Sequence, residues 1–136
     1  MEIESKVGKI EYSDEIVYTF LSDFNNFKAL VPAEKIKSWS SSADHCHFSV
    51  AGMGETGLRI IERSPYKLIK VTTETGSSMS FLMWIQLKKV DENDTRVKIT
   101  VKADLNPMIS MVVKGPLKTF ADSLIDKMEE FDFSKS

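Results

Sequence analysis

Two histidines, His45 and His47, stand two residues apart, with Asp44 beside them. On a β-strand this spacing places both imidazoles on one face, where they could bind a single metal ion. A zinc site needs at least three protein ligands, and the chain has no third histidine. Cys46, between the two, points to the opposite face of such a strand. We therefore predict surface polar residues here and no metal site.

A nucleophile is the next candidate, because Cys46 is the only cysteine in the chain. Thiolate catalysis needs a pKa lowered by a cation, a metal or a helix N-terminus, and the strand neighbours supply none. We predict a small buried side chain there. The glycines between residues 52 and 57 join two predicted strands and open no helix, so they do not form a phosphate-binding loop. No catalytic residue and no cofactor are assigned, because every position predicted to face the interior is uncharged.

Composition limits the classes of partner. The 136 residues carry 18 Lys and Arg against 20 Asp and Glu, a net charge of -2, so no basic excess is available to bind nucleic acid. The single cysteine permits no internal disulfide, and a charged N-terminus does not fit a signal peptide. The apolar runs are far shorter than the roughly 20 residues that cross a bilayer. We expect one cytoplasmic domain over residues 1–136 without a transmembrane segment, and transient contact with a membrane surface is left open.

The order of elements follows from periodicity and capping residues. Ser13 is a good N-cap, and Asn106 followed by Pro107 starts a longer helix with a cap and the residue preferred at its first position. Apolar residues then recur at spacings of three and four, as on a helix that lies on a sheet. The predicted elements are a strand over residues 2–11, helices over 14–24 and 26–31, six strands within 35–104, and a C-terminal helix over 107–131.

Alternation of apolar and polar residues identifies the buried face of the sheet. It is clearest in the last two strands, where Phe81, Met83 and Ile85 share one face and Ile99 faces inward between the polar residues Lys98 and Thr100. The same parity places Cys46 inside. An α+β fold satisfies the pattern, with a seven-stranded antiparallel sheet curled around the long C-terminal helix, because the apolar face of the sheet needs a cover.

Four segments carry a resemblance to a known family: residues 13–23, Pro32, Asn106 with Pro107, and residues 115–117. The chain resembles the START-like (SRPBCC) superfamily with the helix-grip fold. Within it, the chain resembles in particular the small bacterial polyketide cyclase/dehydrase-like and coenzyme Q-binding-like group, which is related to the birch pollen allergen family. The resemblance covers essentially the whole chain. It implies an apolar cavity for lipids, polyketides, plant hormones or quinones between the sheet and the long helix.

We predict such a cavity because a curved sheet spans more area than one helix can fill, and binding sites of this kind are mostly apolar. The alternative is a solid core made of the same side chains. The predicted ligand-binding residues are Phe48, Val50, Leu58, Ile60, Ile69, Val71, Phe81, Met83, Ile85, Ile99, Met108, Met111, Val112, Phe120 and Leu124.

Gly115 and Pro116 lie inside the final helix, where proline removes a backbone hydrogen bond, so we expect a kink near Val112. The kink either opens the mouth of the cavity or bends the helix around the sheet. Met108 and Met111 precede it, and their flexible side chains suit contact with an irregular ligand as well as ordinary packing.

These predictions favour binding or transport of a small hydrophobic molecule that is lipid-, quinone- or polyketide-like, with no catalysis. One alternative is an enzyme of the polyketide cyclase or dehydratase type, which requires a convergent pair of polar groups inside the cavity. The other is a protein-interaction module, as in the chaperone-cofactor branch of the superfamily. That alternative requires a filled core and an exposed apolar patch.

Overall fold

The structure of the protein is a computed structural model, and it describes residues 1–50, 54–77 and 79–135. The elements in chain order are β1 (Glu2–Glu4), β2 (Gly8–Ile10), α1 (Asp14–Leu21), a 3₁₀ helix (Phe24–Ala29), β3 (Ile36–Ser41), β4 (His45–Val50), β5 (Gly54–Ser64), β6 (Leu68–Thr73), β7 (Leu82–Asp91), β8 (Asp94–Lys102), α2 (Pro107–Glu130) and a C-terminal 3₁₀ turn (Phe133–Lys135).

The strands form one antiparallel sheet in the order β1-β8-β7-β6-β5-β4-β3, and β2 pairs with β8 beside β1. Because β1 and β2 pair with the same strand, the sheet is seven strands wide. The long helix α2 lies against β1, β2 and β8. This arrangement confirms the predicted helix-grip architecture.

The prediction of one strand over residues 2–11 is wrong in detail, because the edge strand breaks at Ser5. The Ser5 hydroxyl accepts a hydrogen bond from the Ile99 N–H at 2.8 Å and so replaces a backbone carbonyl in the ladder. The next residue, Lys6, turns its own N–H to the Asp122 carboxylate on α2, at 2.7 Å. The break therefore fastens the edge of the sheet to the long helix.

The helix prediction over residues 14–24 also needs correction. The start holds, because the Ser13 hydroxyl accepts the Ile16 N–H at 3.2 Å. The helix ends at Leu21, and Asp23 then accepts the Asn25 N–H at 2.9 Å and caps a separate 3₁₀ helix. That helix covers Phe24–Ala29 and replaces the second helix predicted over residues 26–31.

The core lies between the inner face of the sheet and the second half of α2. Ile69 of β6 and Ile85 of β7 are fully buried at its centre. The helix continues through Gly115 and Pro116 without interruption. Its buried residues all lie beyond these two: Ala121, Leu124, Ile125 and Met128.

Candidate ligand-binding cavity

A cavity of about 580 Å³ lies between the sheet, the 3₁₀ helix and α2. Its volume is within the range typical of small-molecule sites. The lining residues are Phe24, Phe27, Val31, Lys35, Trp39, Cys46, Phe48, Val50, Thr56, Leu58, Met79, Phe81, Met83, Ile99, Val101, Pro116, Leu117, Thr119, Phe120, Ala121 and Leu124.

The wall of the cavity follows from local geometry on both sides. In β4, the period of two places Phe48 and Val50 on the inner face, and the pairing of β4 with β5 sets Cys46 opposite Leu58. In α2, Phe120 belongs to the half of the helix that covers the sheet. The lining side chains of the sheet and of α2 do not fill the space between them, so a cavity remains.

Trp39 reaches the cavity through a β-bulge in β3. Ile36 pairs with Val50, but Ser40 pairs with His47, so β3 has one extra residue in this stretch. Ser38 absorbs that residue with a φ of 57°, in the left-handed region that non-glycine residues rarely adopt. The strand is thereby rotated, and Trp39 turns to the inner face, where strict alternation would not place it.

The polar side chains of the lining are few, and among the described residues they include no carboxylate and no imidazole. Thr56 is buried, whereas Lys35 and Thr119 are exposed and therefore lie at the rim. Burial raises the pKa of the Cys46 thiol to about 12, so this group is un-ionised at physiological pH. The Trp39 indole N–H is buried and has no acceptor among the described residues.

The predicted ligand-binding residues fall into three groups. Eight line the cavity, four are buried in the core away from it, and three are exposed on the outside of α2. The lining group is Phe48, Val50, Leu58, Phe81, Met83, Ile99, Phe120 and Leu124. The core group is Ile60, Ile69, Val71 and Ile85. The exposed group is Met108, Met111 and Val112.

The assignment of Met108, Met111 and Val112 to the cavity is wrong. Their exposed fractions are 80%, 83% and 73%. Successive residues of an α-helix are rotated by about 100° around its axis. Because Leu124 and Met128 face the sheet, this rotation places the three residues on the opposite side of the helix. The sequence carried this signal, and the prediction missed it by treating the segment before Pro116 as a ligand contact.

Other lining residues were missed for different reasons. Lys35, Phe24 and Phe27 enter the lining from the turn before β3 and from the 3₁₀ helix, whose position only the folded chain defines. Trp39 depends on the bulge. Cys46 was placed on the inner face by parity but was read as core packing and not as part of a wall.

The two histidines lie on the outer side of β4. The His45 Nδ1 atom is 2.5 Å from a carboxylate oxygen of Glu74, and the His47 ring lies against Gly57. Within the described ranges, no three metal-ligating side chains come together. The described helices also include none that is long and apolar enough to cross a membrane.

No protein-family model matches the chain, and no curated protein matches it by sequence. Solved structures do match it. A START superfamily protein from Mycobacterium smegmatis aligns with a TM-score of 0.68 and 13% identity, covering 95% of this chain and 97% of that one. A norcoclaurine synthase from Thalictrum, solved with a transition-state analogue, aligns with a TM-score of 0.72 and 15% identity over 100% and 96% of the two chains. The Aha1 dimer from Colwellia psychrerythraea aligns with a TM-score of 0.67 and 18% identity, covering 95% of this chain and 96% of that one.

These similarities establish the architecture. The chain has the helix-grip fold of the START/SRPBCC proteins, as the sequence resemblance implied. At such low identities the likeness concerns the fold alone, so a function for this chain has to be argued from its own cavity.

Proposed function

We propose that the protein binds or transports a small hydrophobic molecule, lipid-, quinone- or polyketide-like, in the cavity under α2. The observation that carries this proposal is the cavity itself, whose volume is about 580 Å³ and whose lining is almost entirely aromatic and aliphatic. Side chains that border a void lose the dispersion contacts they would make with neighbours. An apolar ligand restores those contacts, and its own apolar surface is removed from water when it binds. Burial of apolar surface and shape therefore supply its affinity.

A catalytic role has less support. A cyclase or dehydratase needs two or more polar groups that converge on a reacting atom. In the described lining, the only charged side chain is Lys35 at the rim, and the Cys46 thiol is neutral. Binding without chemistry therefore accounts for the lining better, and we place this activity in the cytoplasm with no cofactor.

The direct test is native mass spectrometry of protein purified without detergent, followed by organic extraction of whatever is released. We expect a stoichiometric apolar molecule in the extract, or uptake of the uncharged fluorophore N-phenyl-1-naphthylamine by the empty protein. A clean mass together with no uptake of the fluorophore would contradict the proposal.

A pair of leucine variants on α2 locates the bound molecule. Ala121 is buried and lines the cavity, so Ala121→Leu reduces the space and should weaken fluorophore binding. Met111 lies on the outside of the same helix, so Met111→Leu is the matched control and should bind as the wild type does. Equal binding by both variants would place the fluorophore elsewhere on the protein.

The second candidate, a protein-interaction module, is favoured by one observation. Met108, Met111 and Val112 form an exposed apolar face on α2, and apolar faces of this kind often mark contacts. The presence of a cavity argues against the filled core that this alternative requires. Sedimentation velocity over a range of concentrations tests self-association, and the double change Met108→Ser with Met111→Ser should abolish any association that uses this face.

A further inference from the structure

The polar atoms of the cavity lining share one property, which is that each can donate a hydrogen bond. Lys35 and Trp39 carry only donors in their side chains. The hydroxyls of Thr56 and Thr119 and the neutral thiol of Cys46 can donate as well. Ionised carboxylates do not occur in the described lining, and the only side chains there that accept without donating are the weakly accepting thioethers of Met79 and Met83. The complementary ligand therefore presents acceptor atoms.

Lys35 has a defined place at the rim. Its backbone N–H donates to the Pro32 carbonyl at 3.1 Å, and that of Ile36 donates to the same carbonyl at 3.0 Å. This turn holds Lys35 directly before the buried Ile36 at the start of β3. Among the described residues no carboxylate lies within 4.0 Å of the Lys35 ammonium. Glu34, its neighbour in the chain, is exposed and is not part of the lining.

The position of the Lys35 ammonium at the rim also sets the orientation of a bound ligand. An ionised head group buried among apolar side chains would lose its hydration without compensation, which is costly. At the rim the head group keeps contact with water and gains the attraction of the Lys35 ammonium. An apolar body extending inward from there contacts the apolar side chains of the lining, such as Phe48 and Leu124.

We infer that the ligand is an acidic amphiphile, an apolar molecule that ends in an anionic group, and that Lys35 binds this group at the mouth of the cavity. This inference rests on the ligand-binding function proposed above and makes it more specific. An uncharged hydrocarbon would gain nothing from Lys35, and the carbonyl of a quinone would accept a hydrogen bond from the ammonium without forming an ion pair. A fatty carboxylate or an alkyl phosphate would form both the hydrogen bond and the ion pair.

The test compares cis-parinaric acid, a fluorescent fatty acid, with its methyl ester, which has the same apolar body and no charge. Wild-type protein should bind the acid more tightly than the ester by about twofold to fivefold, the range expected of an exposed ion pair. The difference should shrink as salt is added, because salt screens the pair. Displacement by dodecanoate and by dodecyl phosphate then shows which anionic head is preferred.

The matched variants are Lys35→Met and Lys37→Met. Lys37 lies two residues further along, is exposed and does not line the cavity. Lys35→Met should bind acid and ester equally, Lys37→Met should behave as the wild type, and Lys35→Arg should keep the preference because it keeps the charge.

Equal binding of acid and ester by the wild type would overturn the inference and leave the proposed function in place. A preference for the acid that persists in Lys35→Met would also overturn it. Binding of neither compound would contradict the proposed function itself.

Discussion

The indole ring of Trp39 stacks on the ring of Phe48, with centroids 5.5 Å apart and planes inclined by 15°. This contact exists because the bulge at Ser38 turns Trp39 to the inner face of β3. Both rings line the cavity. The only other tryptophan, Trp84, lies on the outer face of β7 with the ammonium groups of Lys70 and Lys102 over its ring.

The two tryptophans should therefore respond differently to a bound molecule. Dodecan-1-ol has no chromophore, and we expect its binding to change the emission of Trp39, whose ring borders the cavity. The change should persist in Trp84→Phe and disappear in Trp39→Phe. A response that follows Trp84 would place binding on the outer face of the sheet.

The bulge itself can be tested at Ser38. A β-branched residue is strongly disfavoured at a φ of 57°, so Ser38→Val should lower the free energy of unfolding by about 1 to 3 kcal/mol. Ser40→Val, an exposed position on the same strand, should change it by no more than about 0.5 kcal/mol. Urea unfolding measures both values, and similar values for the two variants would contradict the bulge geometry.

Two glycines should respond differently to alanine. Beyond the adjacent residues and the helix backbone, nothing lies within 4 Å of a Cβ at Gly115. Gly115→Ala should change the stability by no more than about 0.5 kcal/mol, because the gain in helix propensity is opposed by crowding between the new Cβ and the ring of Pro116. A Cβ at Gly8 would lie 2.6 Å from Ile125 Cγ2, between β2 and α2. Gly8→Ala should therefore destabilise by about 1 to 3 kcal/mol. Thermal unfolding compares the two variants, and equal stability of both would show that the sheet and α2 are less closely packed at Gly8.

Two methionines of α2 differ in burial, so the effect of the same substitution on stability can be compared at a buried and at an exposed position. Met128 is fully buried, and Met128→Ala should cost about 2 to 5 kcal/mol of stability because it opens a void in the core. Met111 is 83% exposed, and Met111→Ala should change stability by at most about 0.5 kcal/mol. A large loss of stability in Met111→Ala would indicate that Met111 packs in the interior and would contradict its exposed position.

Cys46 should make stability fall in alkaline solution. In the unfolded chain the thiol ionises near its ordinary pKa of 9.0, whereas burial raises the pKa in the folded protein to about 12. The folded state thus holds more protons between these values, so the free energy of unfolding decreases as the pH rises through them. Cys46→Val removes this contribution and should flatten the curve of stability against pH. An unchanged curve would contradict the buried thiol.

The interactions that could be read from the sequence are those within a few residues along the chain. The Ser13 cap and the Asn106 cap both form as predicted, since each hydroxyl or amide oxygen accepts an N–H three residues away. Alternation likewise placed Phe48 inside, because the period of a strand is a local property. The antiparallel sheet and its long covering helix follow from such patterns.

Tertiary structure decided what depends on contacts between distant residues. The break in the edge strand requires two such contacts. Ser5 contacts Ile99, which is 94 residues away, and Lys6 contacts Asp122, which is 116 residues away. The turn of Trp39 into the cavity depends on the pairing of β3 with β4. Alternation also could not separate Leu58, which borders the void, from Ile60, which packs in the core. Both side chains are apolar and face inward, and only the distance between the sheet and α2 at each point decides which of them meets a neighbour.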